Sequence, residues 1–117
     1  MPFRFETLTV WKEARAFSGA VYKLTERFPR HEAFGLASQL NRAGNAAPLL
    51  IAEGSALPTK LLFHHRLGLA QGEIAEVICG TLLALDRKYV DQVNQTNLYQ
   101  SGQSLARQLD KLRQTLR

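Results

Sequence analysis

The chain reads as an all-α protein, specifically an antiparallel up-and-down four-helix bundle with a proline-kinked second helix. Two observations predict it. Apolar residues recur at alternating spacings of four and three over four separate stretches, the period of a helix that buries one stripe. Each stretch is about 20 residues long, roughly 30 Å of helix, and is joined to the next by a short connection, which favours antiparallel neighbours.

Residues 1 to 8 hold Phe3, Phe5 and Leu8 beside Arg4 and Glu6, too short and mixed for more than an extended lead-in that tucks aromatic rings against the body. Thr7 or Thr9 is placed to cap a first helix, since a threonine hydroxyl accepts an unpaired amide of the first turn. Val10, Ala14, Phe17, Val21, Leu24 and Phe28 then form its seam, and Trp11, Ser18, Tyr22 and Thr25 a second stripe beside it. Pro29 ends this helix at Phe28, because proline disfavours helical geometry in the residue before it.

The second helix is expected from about Glu32 to Glu53, with Leu36, Leu40, Ala43, Ala47 and Leu50 as its line and Gly54 as a left-handed stop. Pro48 cannot donate to the Gly44 carbonyl and its ring pushes on that turn, so a kink is expected there. The alternative is two shorter helices, but the apolar stripe stays in phase across the proline. After the loop Gly54-Ser55-Ala56-Leu57-Pro58-Thr59, Thr59 can cap a third helix over about Lys60 to Asp86. Phe63, Leu67, Ala70, Ile74, Val77, Thr81 and Ala84 form one stripe, and Leu69, Ile78, Leu82 and Leu85 another. Apolar on much of its circumference, this helix is expected to be the most enclosed. Asp91 or Thr96 can cap the last helix, whose line is Leu98, Leu105, Leu109, Leu112 and Leu116.

The 117 residues suit one domain and carry a net charge of +5, from fifteen Lys and Arg against ten Asp and Glu. A positive surplus is compatible with a polyanion partner. The single Cys79 excludes an internal disulfide and fits a reducing compartment. The N-terminal residues lack a secretory pattern, and no uninterrupted apolar run reaches the roughly 18 residues of a membrane span, which points to a cytoplasmic protein.

No catalytic constellation, cofactor motif or metal set is found. His64 and His65 are adjacent and point about 100° apart on a helix, and neither a His-x-x-x-His nor a Glu-x-x-His pair occurs. Cys79, between Ile78 and Gly80, is expected to be a small buried hydrophobe. Arg42 and Glu53 are separated by about 16 Å of rise, so they must find partners on other helices or subunits, with Gln39, Glu73 and Glu76 as candidates; the expected polar network is Gln39, Arg42, Glu53 and Glu76. Lys12, Arg15, Lys23, Arg27 and Arg30 can share a broad basic face, extended by Arg107, Lys111 and Arg113 if the first and last helices are neighbours. Glu13 and Glu26 interrupt it.

Several strings in order, Leu8-Thr9-Val10-Trp11, Val21-Tyr22-Lys23-Leu24-Thr25, Phe28-Pro29, Gly35-Leu36-Ala37-Ser38-Gln39-Leu40, Arg42-Ala43, Pro48 and Ile51-Ala52-Glu53-Gly54, together resemble the 23S rRNA-intervening sequence protein family. Phe63, Leu67, Ala70, Gly72 and Glu76 fall where the same pattern places them. The resemblance implies a four-helix bundle that assembles as a homo-oligomer, typically a pentameric ring. It also implies kinship with the accessory protein of diversity-generating retroelements, which binds nucleic acid, RNA or DNA, and a reverse transcriptase. Members usually carry Asn directly before Ile-Ala-Glu-Gly and an Arg-rich stretch directly after it. Here Leu50 and Ser55-Ala56-Leu57-Pro58-Thr59 stand in those places, and Glu73 replaces the Ser that usually follows Gly72. The basic loop that would contact phosphate is missing.

Overall fold

The computed structural model describes residues 2–117. A 3-10 turn over Arg4–Thr7 leads into α1 (Thr9–Thr25); a second such turn, Arg30–Glu32, precedes α2 (Leu36–Ser55), followed by α3 (Lys60–Asp86) and α4 (Gln92–Gln114). Each helix packs on its sequence neighbours and α4 returns to α1, giving an up-and-down bundle about 43 Å long.

The expected core lines are buried except at Leu50 and Leu112, which are half-buried against the edge of the core; in α2 the neighbouring Ile51 takes the core place instead. Val10, Ala14, Phe17, Val21 and Leu24 of α1 meet Leu40, Ala43, Ala47 and Ile51 of α2, and Phe63 through Ala84 of α3 meet Leu98, Leu105 and Leu109 of α4. α2 runs unbroken through Pro48, so one helix forms and not two. Thr59 caps α3 by accepting from the Leu62 amide at 3.2 Å, and Asp91 caps α4 by accepting from the Asn94 amide at 2.8 Å.

Several local expectations are corrected. The lead-in is a 3-10 turn held by the Thr7 hydroxyl donating to the Arg4 carbonyl, so neither Thr7 nor Thr9 caps α1, whose N-cap is Leu8. Phe5 does tuck in, its ring 4.8 Å from that of Trp11. α1 stops at Thr25 and its last residues to Phe28 form a turn. α2 starts at Leu36 because the Gly35 backbone (φ −114°, ψ −115°) is not helical, and a Glu32 carboxylate oxygen accepts from the Leu36 amide. Gly54 lies inside α2 and has no positive φ. Its role is close approach: a Cβ there would sit 2.8 Å from Phe63 Cδ1 and 2.9 Å from Arg66 Cβ.

α3 is not the most enclosed helix. Its core stripe is buried, but Leu61, Leu62, Leu69, Leu82 and Leu83 are exposed, from 70% at Leu61 to 39% at Leu83. Cys79 is exposed as well. The period explains both: among the described residues α3 packs chiefly on α2 and α4, so positions about 180° from Leu67 and Ile74 point away from the bundle. By length and composition α3 could cross a membrane, contrary to the estimate from uninterrupted runs, because averaging absorbs Glu73 and Glu76. Here one side of that apolar helix fills the bundle and the other is left uncovered.

Glycines set the spacing of three of the four seams. A Cβ at Gly44 would lie 3.2 Å from Val21 Cβ (α1–α2), one at Gly102 would lie 2.8 Å from Ile78 Cδ1 (α3–α4), and one at Gly80 would collide with Leu40 (α2–α3). Leu40 is almost fully buried and has nowhere to move. At the far end, the Glu32 carboxylate joins the α1–α2 and α3–α4 connections, accepting from the Tyr89 hydroxyl at 2.8 Å and pairing with Arg87 at 3.2 Å.

Two outcomes test this account. Gly80→Ala should destabilise the protein by about 1–2 kcal/mol despite alanine's better helix propensity, since overpacking a filled site outweighs it. Gly19→Ala, in open space, should stabilise by about 0.5–1 kcal/mol; urea unfolding of both variants reads the difference. The Leu36 amide first, then the Tyr89 hydroxyl, with the Arg87 charge assisting, hold the Glu32 carboxyl below its ordinary range against desolvation. A lowered folded-state value means the contribution is present above the unfolded carboxylate range, about 4.3, and is lost as pH falls through the folded value. Glu32→Gln should therefore lower the melting temperature at pH 7 and show a shallower acid decline, converging with the wild type once pH has fallen through the folded-state value.

Candidate nucleic-acid interface

The α1–α4 seam is the one side of the bundle where no glycine draws two helices together, and it stays open. Two adjoining hollows of about 250 and 510 Å³ run along it and share Ala20, Asn97 and Ser101. Small residues on α1, Ala16 and Ala20, leave the space, and Asn94, Asn97, Gln100, Ser101 and Ser104 of α4 line it with amides and hydroxyls. Lys23 and Arg27 edge one end, and Glu13 is the carboxylate that reaches it.

Helical period distributes the other basic residues. Lys12 is eleven residues, close to three turns, before Lys23 and so shares its side of α1. Lys111 is seven residues beyond Ser104 and shares its side of α4, with Arg107 further outward. Because α1 and α4 run antiparallel, Lys12 stands toward the end occupied by Arg107 and Lys111, while Lys23 and Arg27 stand at the end near Asn94. The seam thus carries cations at both ends and uncharged polar groups between them. Lys12, Arg15, Lys23, Arg27, Arg30, Arg107 and Lys111 make no ion pair among the described residues.

Three of the expected basic residues lie elsewhere. Arg15 leans toward α2, its guanidinium 5.5 Å above the Trp11 ring, and Arg30 sits in the 3-10 turn before α2. Arg113 is two residues, about 200°, around the helix from Lys111 and faces α3. There it donates to the His64 carbonyl at 3.3 Å and to Gln71 Oε1 at 2.8 Å, and its Nη2 lies 3.2 Å from His64 Nε2. Gln71 in turn donates to Asp110 at 2.7 Å. This α3–α4 clamp was not legible in the sequence, because no spacing rule links positions 64, 71 and 113 before the helices are docked.

The polar network forms within one chain. Arg42 pairs with Glu73 at 3.2 Å and with Glu76 at 2.6 Å, and Glu53 pairs with Arg66 at 2.9 Å. Gln39 makes no side-chain hydrogen bond among the described residues. Arg66 was absent from the expected partners; it lies opposite Glu53 across the α2–α3 connection, a signal readable only from the antiparallel pairing. A buried Gln95, donating to Thr81 at 3.3 Å, adds a polar tie between α3 and α4. No group of three or more His, Cys, Asp or Glu able to hold a metal occurs among the described residues.

These features define an up-and-down helical bundle with an open cationic seam on one side and an uncovered apolar helix on another. The chain belongs to the 23S rRNA-intervening sequence protein family, whose model matches residues 6–111. No curated protein matches it.

Arg113→Ala should cost about 1–2 kcal/mol of stability, since it removes charge-assisted hydrogen bonds that tie α4 to α3. Lys111→Ala, one face away, should change stability by less than about 0.5 kcal/mol. Equal losses at the two positions in thermal unfolding would contradict the clamp.

Proposed function

We propose that the protein is a non-enzymatic, homo-oligomeric bundle that binds nucleic acid along the α1–α4 seam. The observation that carries this reading is a groove of amides and hydroxyls lined by the unpaired Lys23 and Arg27, with the unpaired Lys12, Arg107 and Lys111 further along the same two helices. Cations without carboxylate partners keep counterion release available to a phosphate chain. Asparagine, glutamine and serine can hydrogen-bond base edges or sugars but select no single sequence. Family kinship supports the same reading. Self-association is supported by the outward face of α3, where five exposed leucines lie on one helix; apolar area of that extent is stabilised by removal from water.

A second reading is a scaffold that assembles without binding nucleic acid. It is favoured by the connection after α2, Ser55-Ala56-Leu57-Pro58-Thr59, which offers no charge to a phosphate.

Titration of a fluorescent single strand, RNA and DNA in parallel, separates the two. Five phosphate contacts on a single strand give a slope of log K against log salt near about −3.5, so affinity should fall about 100-fold between 50 and 200 mM salt. Lys23→Gln with Arg27→Gln should reduce the slope by about 1.4. Absence of binding at about 50 mM salt leaves the scaffold.

A further inference from the structure

Pro48 stands inside α2, where a proline forfeits a backbone donor and pushes on the preceding turn. Its ring lines a groove of about 350 Å³ between α1, α2 and the 3-10 lead-in. Phe5, Trp11, Leu49 and Ala52 complete the apolar lining, and Arg15 and Asn45 form the polar edge. The volume falls in the range of small-molecule sites, about 300–1,000 Å³, which join an apolar lining to a few placed polar groups. Trp11 and Arg15 lie about 180° and 140° around α1 from Ala20 of the α1–α4 seam, so groove and seam occupy opposite sides of that helix.

The polar edge is cationic and rich in donors. Arg15 is the one ionised side chain in the lining. Its guanidinium stands 5.5 Å from the centroid of the Trp11 ring and makes no ion pair among the described residues. Stacking fixes the plane of the guanidinium and leaves N–H groups on its edge, the fork that matches a carboxylate with two parallel hydrogen bonds. Asn45 supplies another donor: its Oδ1 accepts from the Ser18 hydroxyl at 2.7 Å, so the amide NH2 is the part left for a ligand. Pro48, Leu49 and Ala52 recur on one side of α2 as the floor, and the Trp11 and Phe5 rings, 4.8 Å apart, form the wall. An apolar body ending in an acid group satisfies both halves of this surface. An amine would be repelled by Arg15, and an alcohol would leave its charge unmatched.

We propose that this groove binds a small apolar monocarboxylate, an alkyl or aryl acid whose body lies on Pro48, Leu49 and Ala52 beside Trp11 and whose carboxylate accepts from Arg15 and Asn45. The site uses neither the outward face of α3 nor the α1–α4 seam, so its failure is separate from that of the nucleic-acid and self-association readings.

Trp11 is the chain's single tryptophan and reports occupancy directly. Titration of the full chain with octanoate, followed by Trp11 emission and by calorimetry, should give a saturable blue shift with one site per chain. 1-Octanol, of the same chain length without the charge, should bind about 10-fold more weakly, the scale of lost charge-assisted hydrogen bonds. Arg15→Gln should weaken octanoate by a similar factor and leave octanol unchanged. Ala52→Leu, which fills the floor from a half-buried position, should abolish binding of both with helical circular dichroism retained. Octanol binding as tightly as octanoate, or wild-type affinity for octanoate in Arg15→Gln, would overturn the acid recognition. Octanoate binding that persists in Ala52→Leu, or calorimetric heat with no Trp11 response, would put the acid on another surface and overturn the site. Absence of saturable binding up to about 10 mM, the weakest affinity expected of a ligand of about ten non-hydrogen atoms, would overturn it as well.

Discussion

The close approach of α2 and α3 is the constraint on which the rest of the bundle depends. It is fixed near both ends, where Gly54 admits Phe63 and Arg66 and where Gly80 admits Leu40. With those two points set, the antiparallel register of the pair is determined, and the flanking ion pairs follow from it. Arg42 reaches Glu73 and Glu76, and Glu53 reaches Arg66. These pairs are largely exposed and contribute little individually; they follow the docking of the helices, which burial and steric fit produce.

The remaining seams are graded by the same principle. Gly44 lets α1 close on α2, Gly102 lets α4 close on α3, and Arg113 clamps α4 further. Nothing comparable joins α1 to α4, so the bundle closes there through larger residues and leaves a channel beside them. The polar channel and the tight core are two consequences of one distribution of glycines. The open side also gathers the unpaired cations, since the acidic residues of α2 and α3 are occupied on the opposite side of the molecule.

α3 shows how a helix can be overdetermined for a monomer. Its buried stripe is complete, yet a second apolar row faces outward, and composition alone would suit a membrane span. The self-association proposed for this protein would give that outer row a neighbour, as its own bundle does the inner one. Cys79 and the leucines around it belong to that outer row, which is why the simple expectation of a buried cysteine failed.

Helix number, order and most core positions were legible in the sequence, because a 3.6-residue period leaves a direct trace in apolar spacing; in α2, however, Ile51 and not Leu50 faces inward. The extent of α3 and the caps at Thr59 and Asp91 were legible for the same reason: they depend on neighbours within a few residues. What tertiary structure decided was everything that depends on which side of a helix meets another helix. The sequence put Arg113 with the basic residues, but docking turns it into α3. It read Gly54 as a left-handed stop, but docking makes it a contact point inside α2. The same limit hid Arg66 as the partner of Glu53 and left open which face of α3 would be uncovered. A local pattern specifies that a helix has an apolar side, and only the packed bundle determines how much of that side its own chain can cover.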